Sequence, residues 1–166
     1  MDKFNEKELK GRQKFNDFLT SFISAKIDFT KEKYANLDAF VQTDLPNYNL
    51  GVEIKDRNAI YEHYDSYIFE YVKFRAMCKE VKSGKCNNCW MCYFFGENLY
   101  LFDLKTICKL KRKGENGLIY KKLPNSTCNY KKDVWKLSYL LPKKFAYKYT
   151  KVNGKWQKIS NPIEIN

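Results

Sequence analysis

Asn36-Leu37-Asp38-Ala39-Phe40-Val41-Gln42, a loop, then Leu50-Gly51-Val52-Glu53-Ile54-Lys55-Asp56-Arg57: this stretch decides the fold. It reads as two apolar strands, residues 36–42 and 50–56, joined by a loop with Pro46 and Asn47 at its turn. Side chains alternate along a strand, so Glu53, Lys55 and Arg57 share one face while Ile54 and Asp56 take the other. Antiparallel pairing of the two strands brings Asp38 to the same place. Two carboxylates and an ammonium at one point suit a hard divalent cation held beside a phosphate.

The spacing of an acid, a variable gap and then Glu53-Ile54-Lys55 resembles the PD-(D/E)XK nuclease superfamily, with Leu37 where that pattern usually has proline. Residues 58–81 are predicted to form the helix that follows. Their Tyr67-x-x-Glu70-x-x-Lys73 looks like that of phage-type and Holliday-junction-resolvase-like members. The resemblance covers residues 1–105. It implies an α/β, restriction-endonuclease-like fold, with a mixed central sheet flanked by helices in αβββαβ order. It also implies Mg²⁺ or Mn²⁺ held by Asp38, Glu53 and the Ile54 carbonyl, with Lys55 at the attacking water. Such enzymes often carry a further acid on the first helix, where Glu8 is the candidate, and often work as homodimers.

The same acid-x-Lys triplet recurs at Glu8-Leu9-Lys10 and Asp103-Leu104-Lys105. Glu8 lies in a helical pattern, where residues two apart do not face one another. Asp103 ends an apolar strand with no acid-bearing strand before it. Glu53 has the apolar lead-in of Leu50 and Val52 and an acid-bearing strand before it. The plainer alternative is a surface hairpin with solvated charges.

The net charge of +12 is unevenly placed. Residues 1–104 carry 15 Lys/Arg and 16 Asp/Glu, whereas residues 105–166 carry 16 and 3. Lysine-rich composition alone does not explain the missing acids, so a basic face toward nucleic acid is expected, DNA before RNA. Lys143, Lys144, Lys148 and Lys151, together with Arg57, are the candidate phosphate contacts. The single histidine, His63, excludes Ser-His-Asp and Cys-His triads with an imidazole base to spare. No run approaches the roughly 18 apolar residues of a membrane span. With no apolar signal core near Met1, a cytoplasmic protein without a membrane partner is expected.

Residues 3–25 repeat Phe and Leu at helical spacing, and 27–29 read as a strand. Residues 90–95 and 99–103 form a hairpin around Gly96. Three lysine-rich strand-like pieces follow at 118–123, 134–141 and 146–159, the last with a type I′ signal at Asn153-Gly154. The division is a nuclease-like core over 1–105 and a basic β-rich extension over 106–166, packed on the same domain.

Cys86, Cys89 and Cys92 make two C-x-x-C steps, and with Cys108 or Cys128 offer thiolates for Zn²⁺; buried free thiols are the ordinary alternative. The reading is a metal-dependent deoxyribonuclease. The alternative is a non-catalytic nucleic-acid-binding or inhibitor protein retaining the fold, with or without a zinc staple. Tyr130, Trp135, Tyr147 and Trp156 are then available to stack on bases.

Overall fold

A computed structural model describes residues 3–31, 35–44, 48–126 and 129–165; the turn residues Pro46 and Asn47 and the thiol of Cys128 lie outside these. The chain runs α1 (Lys3–Thr20), β1 (Ala25–Phe29), β2 (Ala39–Thr43), β3 (Asn49–Arg57), β4 (Ser66–Glu70), α2 (Tyr71–Lys82), β5 (Asn88–Phe95), β6 (Asn98–Asp103) and α3 (Leu104–Lys113). It then continues through β7 (Leu118–Ser126), β8 (Asn129–Pro142), β9 (Tyr147–Val152) and β10 (Lys155–Ser160). The fold is α/β, as expected, with a mixed seven-stranded sheet in the order β1-β2-β3-β5-β6-β9-β10. A smaller antiparallel sheet has the order β4-β8-β7.

β3 is the axis of the large sheet. It pairs antiparallel with β2 and parallel with β5, from Leu50 beside Asn88 to Arg57 beside Phe95. Its two faces feed two cores. Leu50 and Val52 meet Phe15, Phe18 and Leu19 of α1. Gly11 lets that helix approach closely, since a Cβ there would lie 3.3 Å from the Ile54 side chain. The opposite face, with Met91, Tyr93 and Phe102, is covered by α2, α3 and the small sheet through Phe74, Leu110, Phe69 and Leu141.

Residues 58–81 do not form one helix. Ala59–Tyr61 make a 3₁₀ turn capped by Asn58, and Ser66–Glu70 are a strand. Tyr67 and Phe69 are buried while Ser66, Ile68 and Glu70 are less so. That is a period of two, and β8 alongside supplies the pairing that a helix would have forgone. Only Tyr71–Lys82 are helical. A further helix, α3, follows β6 directly. Asp103 caps it by accepting from Thr106 N–H at 2.6 Å, and Gly114 ends it at φ 71°. The last 60 residues are no separate layer: β9 extends the large sheet beside β6, while β8 pairs with β4. The predicted turn at Asn153-Gly154 has positive φ at both residues, as type I′ requires.

Candidate active site

β2 and β3 part at the Ala39–Val52 pair, and the residues beyond it make the site. The Asp38 backbone is fixed by its N–H donating to the Val52 carbonyl at 2.9 Å and its carbonyl accepting from Thr30 N–H at 3.0 Å. Its carboxylate Oδ2 accepts the Ile54 N–H at 2.6 Å. Asp38 thereby sits beside Glu53, as the strand alternation requires.

Glu53 is wholly buried. Its Oε1 accepts from the Lys55 ammonium, and Lys73 Nζ lies 3.0 Å from Oε2. Oε2 receives no well-directed hydrogen bond, so the Lys73 contact is an ion pair of charge rather than of geometry. Lys73 also reaches the carbonyls of Ala35 at 3.4 Å and Asn36 at 3.3 Å. About a quarter of each lysine side chain is exposed, which opens the cluster to solvent on that side.

The electrostatics follow from this crowding. Burial, then the Glu53 charge, push the Asp38 carboxyl above its ordinary range; Lys55, the Ile54 N–H and Lys73 only partly offset them. Burial works against the Lys55 charge, but Glu53, Asp38 and the hydrogen bond Lys55 donates to Glu53 outweigh it and raise the ammonium above its usual value. Lys55 therefore keeps its proton in the metal-free protein, a hydrogen-bond donor and a fixed positive charge.

Arg57 lies two residues beyond Lys55 on the same face, close enough to act electrostatically on Lys55 and Tyr93, and pairs with no carboxylate among the described residues. The Ile54 side chain points to the α1 side, against Gly11. Glu8 is tied to Arg12, whose guanidinium also donates to the Thr30 carbonyl at 2.7 Å. It stands behind the Asp38 backbone without touching either carboxylate.

The four C-terminal lysines do not share one face. Lys143 Nζ donates to the Glu62 carbonyl at 3.3 Å, and Lys148 lies 3.8 Å from the Glu62 carboxylate. Lys144 is exposed over the Phe145 ring. Lys151 is bound to Asp17 of α1 at 2.5 Å, on the other side of the sheet. Alternation along β9 separates Lys148 from Lys151.

Cys86 and Cys89 meet, with sulfurs 3.6 Å apart, and their shared hydrogen bond lowers the Cys86 thiol and raises that of Cys89. Cys92 does not join them. It belongs to the α1-side core, whereas Cys86 and Cys89 belong to the other, because β5 alternates. Among the described residues no three His, Cys, Asp or Glu side chains form a metal-holding group. Of the candidate stacking rings, Trp156 is buried core and Tyr147 packs beside it, while Trp135 is exposed; the Tyr130 side chain lies outside the described residues.

The residue that the spacing argument left out of the site is Lys73. It was visible in Tyr67-x-x-Glu70-x-x-Lys73, but a single long helix gave no reason to single it out. With Glu70 capping the helix, Lys73 falls on the first turn of α2 and faces Glu53.

No family model matches the chain, and no curated protein matches it. Among solved structures, a nuclease from a fusellovirus is similar to it at 14% identity, over 86% of this chain and 81% of that one, with a TM-score of 0.43.

Proposed function

We propose that the chain is a metal-dependent endonuclease of the PD-(D/E)XK type, hydrolysing DNA phosphodiester bonds. The observation that carries this reading is the convergence of Asp38, half-buried just before β2, and the fully buried Glu53 of β3, with Lys55 on the same face. The donor set fits a hard cation. Both side chains are carboxylates, Glu53 Oε2 is buried without a directed hydrogen bond, and burial together with the Glu53 charge holds Asp38 partly against ionisation. Asp38, Glu53 and the Ile54 carbonyl are the residues to hold Mg²⁺ or Mn²⁺, which when bound supplies Lewis-acid activation of water and phosphate. Lys55, kept protonated by its neighbours, orients the attacking water and stabilises charge developing on the phosphorane oxygens. Lys73 holds the free arm of Glu53 in place. Arg57, unpaired on the same face, takes a neighbouring phosphate.

One observation favours the alternative, a fold-retaining binding protein without catalysis. Two carboxylates and two ammoniums already sum to zero, so the cluster is neutral without a metal. Incubation of the purified protein with supercoiled, linear and branched DNA in Mg²⁺, Mn²⁺ or EDTA decides between them. Metal-dependent nicking that Glu53→Ala abolishes supports the nuclease, and intact DNA under every metal condition supports the alternative.

A further inference from the structure

The β7–β8 ribbon leaves the body of the protein with its core-side face uncovered. On β8, Tyr139 and Leu141 of that face are buried, Tyr139 packing edge-on to Phe74 at 5.4 Å. Two and four residues earlier the same face carries Leu137 and Trp135, 38% and 55% exposed. Across the ribbon Tyr120 stands opposite Leu137, and Lys122 opposite Trp135. Tyr120 is 65% exposed and stacks on Trp135, centroids 5.0 Å apart at 20°. Leu118 adds a further exposed side chain, 56% open. A contiguous apolar patch of this kind on an otherwise lysine-rich ribbon marks an interaction surface.

The charge around the rings selects the partner. Lys121 and Lys122 are both exposed on β7; Lys122 lies on the ring face, its Nζ 5.7 Å from the Trp135 centroid, while Lys121, opposite Lys136, takes the other face. Neither lysine stands opposite an acid: Lys136 and Trp135 are their partners across the ribbon, and Asp133 is paired with Pro124, nearer the tip. A second copy of this chain would bring like charges against these lysines. A partner with flat π-faces and regularly spaced negative charge satisfies both parts of the patch, and a nucleic-acid single strand has both. A duplex keeps its base faces stacked inside and offers the rings only its ends. The ribbon is also rooted beside the carboxylate pair. Lys136 of β8 pairs with Glu70 at 3.1 Å, and Glu70 caps the helix whose first turn holds Lys73 on Glu53.

We infer that the Tyr120–Trp135 face of the β7–β8 ribbon is a single-strand binding arm, stacking unpaired bases while Lys122, on the same face, contacts a flanking phosphate. The inference rests on the nuclease reading for its nucleic-acid partner, and it specifies a substrate with a single-stranded segment.

Binding measured in EDTA keeps the arm separate from cleavage. Full-length wild-type protein and variants are titrated with a labelled oligo(dT) and with a blunt duplex of equal length, while Trp emission is recorded. Trp135→Ala should weaken oligo(dT) binding roughly 5- to 150-fold, one stacked base's worth, and leave the duplex within about twofold. Trp135→Phe should keep most of the affinity but lose the emission change, since Trp156 is core and Trp90 packs against the same α1-side core. Lys122→Ala should reduce the log–log salt slope by about 0.7, the value for one phosphate contact on a single strand. Unchanged oligo(dT) affinity in a folded Trp135→Ala protein overturns the arm, as does an equal loss on duplex. So does a wild-type dimer in sedimentation that Trp135→Ala dissolves. Oligo(dT) bound with quenching while supercoiled, linear and branched DNA all stay intact in Mg²⁺ and Mn²⁺ leaves the arm standing and removes the nuclease reading; metal-dependent nicking with Trp135→Ala binding unchanged does the reverse.

Discussion

Replacing Glu53 by glutamine tests the site at its centre. The substitution keeps the shape and deletes the charge that holds two ammoniums, Lys55 on Oε1 and Lys73 at 3.0 Å from Oε2. Breaking a fully buried ion pair from one side costs about 3–5 kcal/mol. Here both lysines are already a quarter exposed and can turn their ammoniums to water, and Asp38 is relieved of a repelling neighbour. The net cost should therefore be about 1–2 kcal/mol, which for a chain of this size lowers Tm by roughly 2–8 °C. The assay is thermal melting in EDTA, followed by a Mg²⁺ titration. Wild-type protein should gain about 2.7 kcal/mol of stability at a hundred times the dissociation constant, because metal binds the folded state alone. Glu53→Gln should gain almost nothing and should not cleave DNA. A variant that keeps cleavage, or that gains as much from Mg²⁺ as the wild type, refutes the assignment of Glu53 as a metal ligand.

Lys55→Met should lower kcat by roughly 10²–10³ with little change in DNA affinity, because its charge serves the transition state; Arg57→Met should mainly weaken binding. Single-turnover rates beside equilibrium binding separate the two, and a Lys55→Met protein whose affinity falls as far as its rate contradicts this division. Asp38 should titrate above the usual carboxylate value of about 3.9 in a ¹³C NMR experiment on metal-free protein, and Glu53→Gln should bring it down. Since folding favours its protonated form, the stability Asp38 contributes is present at low pH and lost as pH rises through its raised folded value; Asp38→Asn should therefore melt higher than wild type at pH 7 but not near pH 3. Gly51→Ala should cost about 1–3 kcal/mol in urea unfolding, because its Cβ would lie 2.5 Å from Leu37 Cδ1 and 3.0 Å from the Cys89 sulfur in a filled core.

The central strands were legible because one physical rule governs them. Alternation put Glu53, Lys55 and Arg57 on one face, and apolar Leu50 and Val52 said which face was buried against α1. The hairpins at Gly96 and at Asn153-Gly154 were legible because positive φ leaves few residue types able to serve there. The run from 58 to 81 failed because its aromatics satisfy two periods at once. Tyr67, Tyr71 and Phe74 fit a helical stripe, while Tyr67 and Phe69 fit a strand, and only β8, some 70 residues away, decides. α3 carries a full helix signature in sequence: Asp103 as cap, Leu104, Ile107 and Leu110 three apart, basic residues at the end and then Gly114.

The site divides along the same line. Asp38, Glu53 and Lys55 converge through neighbouring strands, where sequence spacing and spatial spacing agree. Lys73 converges through a crossover that passes a 3₁₀ turn, a strand in another sheet and a helix start, so its arrival at Glu53 depends on where that strand pairs. Charge composition is blinder still. The lysine excess of the last third is real, yet Lys151 is tied to Asp17, Lys148 to Glu62 and Lys136 to Glu70, while Lys109, Lys113, Lys121, Lys122, Lys144, Lys155 and Lys158 are among those left to solvent. A count of lysines identifies a basic partner surface only after the acids that face them are known, and those acids come from α1, the 3₁₀ turn region and β4, all in the near-neutral part of the chain. The uncovered rings of β7–β8 complete that logic: where the acids stop, the exposed lysines and aromatics begin, and there the ribbon has both the charge and the flat faces that an unpaired strand would meet.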